Sequence, residues 1–200
     1  MKTLVIPDIH GDAQLLQDIL DKEWNVDEIV QLGDLANCVI ESRDGDIECL
    51  RLAQEYDIKV LVGNHEYPYL GGKPFSGFFH YPEVKEEIKK LHWRVATIVG
   101  DEILVTHAGL HPRYNYYKSD NPFRLAQWLN LCWNKNPMFQ FFADVGQIRG
   151  GRYPQGGILW RDFHEKSDKT VKQVFGHTPN TCEKDSFGNL CIDCKKPFIF

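Results

Sequence analysis

Apolar residues arrive along this chain in short runs that end in proline or glycine and then in polar side chains. Thr3 to Ile6 is one such run, closed by Pro7, and Glu28 to Leu32 is a second, closed by Gly33. Val60 to Val62 is a third, closed by Gly63. Short runs rich in β-branched residues and bounded by turn formers read as buried strands. Between them the period lengthens. Leu15, Leu16, Ile19 and Leu20 share one face of a helix that Asp12 can cap and that runs to about Lys22. A second helix, over about Asp46 to Tyr56, leads into the third strand. Strand, helix, strand, helix, strand predicts parallel pairing, with ligands gathered at the carboxyl ends of the strands.

The later half has a different rhythm. A short helix is predicted from Pro82 to about Leu91. Val95 to Val99 and Glu102 to Thr106 bracket Gly100-Asp101 as the arms of a hairpin, which predicts that the second half turns antiparallel. Asn121-Pro122 is a helix start, with Leu125, Trp128, Leu129 and Cys132 on one face and Asn136-Pro137 as the stop. Residues 111–161 are rich in aromatics, Tyr114, Tyr116, Tyr117, Trp128 and Trp160 among them. They form a helical layer that packs on the sheet and, on a sharper reading, a cap that shapes a pocket over the strand ends. Lys172 to Phe175, Leu190 to Asp193 and Phe198 to Phe200 return to strands. The expected whole is a single α/β domain over residues 1–200, with no internal repeat.

Composition narrows the function. A net charge of −5 argues against a protein that holds nucleic acid through its phosphates, but bound cations can supply local positive charge for a phosphorylated substrate. No apolar run reaches membrane-spanning length, and Asp8 comes too early for a signal peptide, so the cytoplasm is the expected compartment. Cys191 and Cys194 form an isolated C-x-x-C in strand-like context, and the six cysteines are expected to be reduced.

The chemistry lies at the strand ends. Asp8 and His10 follow the first strand, Asp34 the second, and Asn64 and His65 the third; His107 and His177 close two later ones. Asp8 and His10 are two residues apart, so an extended segment presents both on one side. His65 carries the side chain best matched to proton transfer near neutral pH. Carboxylates, an amide oxygen and imidazoles together suit Mn²⁺, Fe or Zn²⁺ better than Mg²⁺. There is one ligand group more than a single ion needs, which points to two ions about 3.5–4 Å apart.

Taken in order, Asp8-x-His10, Gly33-Asp34, Gly63-Asn64-His65-Glu66, Thr106-His107-Ala108-Gly109 and Gly176-His177-Thr178-Pro179 resemble the calcineurin-like metallophosphoesterases, in the bacterial and phage-type branch related to serine/threonine protein phosphatases. The resemblance implies a two-sheet β-sandwich flanked by helices, with mixed parallel and antiparallel strands. It implies one metal on Asp8, His10 and a bridging Asp34, and another on Asp34, Asn64, His107 and His177, with Asn64 also near the substrate. The metals would be Mn²⁺ foremost, with Fe, Zn²⁺ or Ni²⁺ as alternatives. Water activated by the pair would attack phosphorus in line, and His65 would protonate the departing oxygen. The substrate implied is a phosphoprotein, with a dinucleoside polyphosphate or a non-catalytic scaffold as alternatives. The chain departs from the branch at two positions. Asn37 stands where an aspartate orients the histidine, and Cys38 where an arginine binds phosphate. Arg161 resembles another phosphate-contacting arginine of the bacterial branch, and Arg43, Arg149 and Arg152 are weaker candidates.

Overall fold

Four consecutive apolar or β-branched residues at Thr3–Ile6 make a strand that can be covered on both faces, and the computed structural model places it so. It describes residues 1–116, 118–179 and 182–200; Tyr117 lies outside them. Strand β1 (Thr3–Ile6) pairs in parallel with β2 (Glu28–Gln31) and antiparallel with β8 (Phe198–Ile199). Strand β3 (Lys59–Val60) extends the same sheet in parallel beside β2. Side chains along β1 alternate. Leu4 and Ile6 join the larger core under the helices, while Val5 joins a second core with Val30, Leu32, Leu61, Val105 and Val174. That second core is the filling between two sheets, as the two-step period of a strand requires.

The other sheet runs β4 (Ala96–Val99), β5 (Ile103–Thr106), β6 (Lys172–Phe175) and β7 (Leu190–Cys191). Strands β4 and β5 form the expected hairpin, turned by Gly100 and Asp101 at φ of 56° and 63°. The expectation of an antiparallel second half holds there and at β8, whereas β6 pairs in parallel with both β5 and β7. The long 111–161 segment between β5 and β6 provides the crossover that parallel pairing needs.

Helix α1 (Ala13–Leu20) is capped by Asp12, whose carboxylate accepts from the Leu15 N–H at 3.1 Å. Helix α2 (Arg43–Glu55) begins three residues before its expected start, behind Ser42. Gly45 and the charged Arg43 and Asp44 conceal that first turn from apolar periodicity. Helix α3 (Pro82–Ile88) packs on α2, outside the first sheet. Helix α4 (Pro122–Lys135) lies on β4 and β5, where the Asn130 side chain accepts from Val95 N–H and donates to Ala96 O. A short α5 (Gln140–Ala143) follows it. Trp133, Phe141 and Phe142 are buried in the helix-side core, so packing accounts for them. Within 111–161 the aromatic that borders the strand ends is Trp160, 5.9 Å from the His177 ring.

The ends of β2 and β3 come close enough to forbid side chains. Gly33 has φ of +98°, and a Cβ on it would lie 2.5 Å from the Gly63 nitrogen. Gly77 has a similar φ of +89° with nothing within 4 Å of a Cβ. Gly77→Ala therefore isolates the cost of a left-handed alanine, about 1 kcal/mol. Gly33→Ala carries that cost plus a backbone clash, and is expected to lower the urea midpoint clearly further. Equal midpoints for the two variants would contradict the close approach.

Candidate metal centre

Every parallel strand of both sheets ends at one edge, and the turns leaving those ends are laced together by backbone and carboxylate. Ile9 and His10 donate N–H bonds to the Asp34 carbonyl at 3.0 and 2.8 Å, and Gly11 N–H reaches Leu35 O at 2.9 Å. The buried amide of Gln31 closes the β2 turn, accepting from Gly33 N–H at 2.9 Å and donating to Gly33 O at 2.7 Å. Glu66, wholly buried, accepts from the N–H groups of Asp34, Ala36 and Gly63 at 3.0, 2.9 and 3.0 Å. One carboxylate thereby holds the β2 and β3 turns in register. Glu66 was visible in its motif but carried no role, because nothing in sequence says where a fourth motif residue points.

Asp34 sits at the centre of the edge. Its Oδ1 accepts from the His65 N–H at 2.9 Å. Its Oδ2 faces Nε2 of His10, His65 and His107 at 3.9, 3.8 and 3.6 Å. Two sets of donor atoms follow, each lying within 4.8 Å of one another: His10, Asp34 and His65, and Asp34, His107 and His177. Asn64 Oδ1 lies 3.0 Å from His107 Nε2, and His177 Nδ1 lies 3.1 Å from it. Asp8 stands behind them, its Oδ2 accepting from the His177 N–H at 3.1 Å.

This donor set fits cations. His107 Nδ1 lies 3.0 Å from the Leu32 carbonyl, which can only accept, so the proton belongs on Nδ1 and Nε2 presents a lone pair. That lone pair converges with Asn64 Oδ1 and Asp34 Oδ2, all three being acceptors. Asp8 Oδ1 and His177 Nε2 are buried without a hydrogen-bond partner. Buried polar atoms are usually partnered, and an unpartnered carboxylate oxygen beside converging acceptors is where a cation fits. The electrostatics agree. Burial, the largest cause, pushes the Asp34 carboxyl up to about 8, and burial with nearby Asp193 and Asp34 raises Asp8. Burial likewise pushes His107 down to about 3 and His10 to about 4, and lowers His177. The two sets share Asp34, as two neighbouring ions would.

All seven residues expected at the strand ends meet here, but two other expectations need correction. Asn37 was expected to meet His65 through its side chain; it is the backbone carbonyl of Asn37 that contacts His65 Nδ1. Arg161 cannot reach a substrate. It is fully buried, its guanidinium donates to the carbonyls of Ala108, Asp162 and Glu165, and it packs over the Phe175 ring at 4.3 Å. The arginine beside the centre is Arg149. It pairs with Asp162 at 2.9 Å, donates to His177 O at 2.9 Å, and its charge is felt by Asp34 and His107.

Asp193 was overlooked. It follows β7 as Asp8 follows β1, is nearly buried, and has its carboxyl pushed up to about 6, chiefly by burial. A carboxylate two residues past a strand was the available signal. Cysteine was also misjudged, since Cys194 is joined to Cys182 in a disulfide, while Cys191 is buried and outside that bond. Among the described residues no helix is long and apolar enough to cross a membrane.

Comparison with known proteins agrees with this geometry. The family model for calcineurin-like phosphoesterases matches residues 1–198. A crystal structure provisionally named as a diadenosine tetraphosphatase superposes with a TM-score of 0.50 at 18% identity, covering 96% of this chain and 82% of its own. A protein serine/threonine phosphatase from Saccharomyces cerevisiae gives 0.49 at 14% identity, covering 96% of this chain and 66% of its own. No curated protein matches the chain.

The buried carboxyl sets a pH dependence. Folded Asp34 titrates near 8, against about 4 in the unfolded chain, so without cations its contribution to stability falls as pH rises between those values. His107, near 3 when folded, contributes the opposite slope only up to about pH 6.5. Between pH 6.5 and 8 the cation-free protein should therefore lose stability, with buried Glu66, also pushed up to about 8, adding to the loss, while a cation that keeps Asp34 ionised removes Asp34's share. Melting temperatures with Mn²⁺ and with chelator are expected to draw apart over that range. A gap that stays constant or narrows would count against Asp34 as a ligand.

Proposed function

Since the chain belongs to the calcineurin-like phosphoesterase family and is a phosphoric ester hydrolase, we propose that it hydrolyses phosphomonoesters with two divalent cations, Mn²⁺ foremost, and that phosphoserine or phosphothreonine side chains are its leading substrate. The observation that carries this reading is the convergence of ligand groups from separate strand ends on the Asp34 carboxylate. Asp8, His10 and Asp34 would hold one cation; Asp34, Asn64, His107 and His177 would hold the other. When bound, the cations offset phosphate charge and lower the pKa of the attacking water.

The chain's own groups do the rest. His65 donates the proton to the departing oxygen from Nε2, because its Nδ1 is engaged by the Asn37 carbonyl. Its Nε2 lies as near Asp34 as that of His10 does, so a ligand role for His65 is the competing assignment. Arg149 replaces Arg161 as the phosphate-facing cation. Its side chain is about a quarter exposed and its guanidinium is pinned by Asp162 and Thr178. Such pinning pre-orients a charge-assisted contact at small entropic cost.

Hydrolysis of a dinucleoside polyphosphate is the second reading. A cleft of about 480 Å³ beside the centre is lined by Tyr67, Lys73, Phe75, Arg149 and Trp160. The Phe75 ring lies 4.7 Å from the His65 ring. Aromatic walls with two cationic side chains would suit a base and its phosphate chain.

With Mn²⁺ the purified protein should hydrolyse 4-nitrophenyl phosphate, and a chelator should abolish turnover; inactivity with every divalent ion would leave a non-catalytic scaffold. His65→Asn is expected to cut kcat by about 100-fold or more while metal content holds; equal losses would make His65 a ligand. Arg149→Ala should raise KM about 10-fold and Arg161→Lys should act on stability instead. Phosphopeptides compared with diadenosine polyphosphates separate the two substrate readings.

A further inference from the structure

The bond that orients His65 leads to a buried carboxylate. The carbonyl of Asn37 that meets His65 Nδ1 belongs to the same peptide unit as the N–H of Cys38. That N–H donates to Asp46 Oδ2 at 3.0 Å. The preceding N–H, of Asn37, donates to Asp46 Oδ1 at 2.7 Å, and Ser42 Oγ donates to Oδ2 at 2.8 Å. Asp46 is wholly buried in the first turns of α2, and among the described residues no lysine or arginine forms an ion pair with it. Its carboxylate fits because two glycines make room. A Cβ on Gly11 would lie 2.5 Å from Asp46 Oδ1, and one on Gly45 would lie 2.3 Å from the Gly11 carbonyl.

A buried, unpaired carboxylate is costly, and a neutral side chain could hold a turn by hydrogen bonds alone. What an ionised group adds is polarisation. A carboxylate bonded to one end of a peptide unit draws its N–H and strengthens the carbonyl at the other end as an acceptor. We propose that Asp46 is the positioning residue of His65, acting through the Asn37–Cys38 peptide to hold Nδ1–H and aim Nε2 at the centre. This rests on the reading of His65 as the proton donor. In that step the attacking water's oxygen bonds to phosphorus and the ester P–O bond breaks. The departing oxygen takes the His65 Nε2 proton, and neutral His65 keeps its Nδ1–H bond until it regains a proton from solvent.

A proton donor matters most when the leaving oxygen is basic. The test is kcat for phenyl phosphate and for 4-nitrophenyl phosphate with Mn²⁺, in the wild type, Asp46→Asn, His65→Asn and the double variant. Asp46→Asn is expected to lower kcat about 10-fold for phenyl phosphate and less than about 3-fold for 4-nitrophenyl phosphate, as outer-shell partners do when lost. It should add nothing in the His65→Asn background. Ser42→Ala, which removes the hydroxyl that contacts Asp46 and Val39 but keeps the carboxylate, should alter the melting temperature and not the leaving-group dependence. Equal losses for both esters, additive losses in the double variant, or a parallel fall in manganese content would overturn the proposal. If Asp46→Asn does not fold, long-range ¹H–¹⁵N spectra of the wild type decide. Nδ1–H on His65 supports the link, and an Nδ1 lone pair overturns it. A wild type inactive on every ester defeats the phosphoesterase reading, whereas those spectra report on Asp46 and His65 regardless.

Discussion

A carboxylate buried where two sheet edges meet is the constraint around which this protein is arranged. Asp34 is almost inaccessible, yet it lies among the imidazoles of His10, His65 and His107 at distances too long for hydrogen bonds and suited to an ion between them. Holding it there needs the β2 and β3 turns in near contact, and that contact needs glycine at both positions. A Cβ on Gly63 would fall 2.1 Å from Asp34 Oδ1. Packing, backbone conformation and charge are thus fixed together at one point, and none can be changed alone.

Three of the residues with left-handed backbone lie at the same edge. His10, Asp34 and His177 all have positive φ, at 52°, 52° and 70°. Such conformations cost about 1–3 kcal/mol each when the surroundings enforce them. Here they are enforced by bonds that cross between turns: Ile9 and His10 to the Asp34 carbonyl, and the Glu66 carboxylate to three N–H groups. The sheets and helices are the over-determined part that maintains these turns, and the ligand geometry is what the strain produces.

How much of this could be read from the chain follows from how local each cause is. Strand ends such as Leu32-Gly33-Asp34 declare themselves because a run of buried residues, a glycine and a polar group lie side by side. The seven strand-end residues were legible for that reason, and so was the pairing of β1, β2 and β3. Arg161 misled because a sequence cannot tell an arginine that faces a cleft from one buried with Nε and Nη1 on the Ala108 and Glu165 carbonyls. Arg149 was underrated because its place depends on the crossover returning beside His177. The parallel run from β5 to β7 was hidden by the length of segment between β5 and β6. The Cys182–Cys194 pairing passes over Cys191, the residue that spacing would have chosen.

Charge gives the remaining link between fold and function. Asp8, Asp34, Glu66 and Asp193 are all buried near one another; Arg149 is a positive side chain whose influence reaches Asp34 and Asp193, and exposed Lys195 also reaches Asp193. One guanidinium already paired with Asp162 cannot balance them, so ionisation must be suppressed or cations must enter. Once cations enter, the sign of the edge changes, and an anionic ester is drawn to a chain whose net charge is −5. Attraction for phosphate therefore resides in what the carboxylates bind and not in a basic surface. That explains how a centre built from acids and imidazoles can serve an acidic substrate.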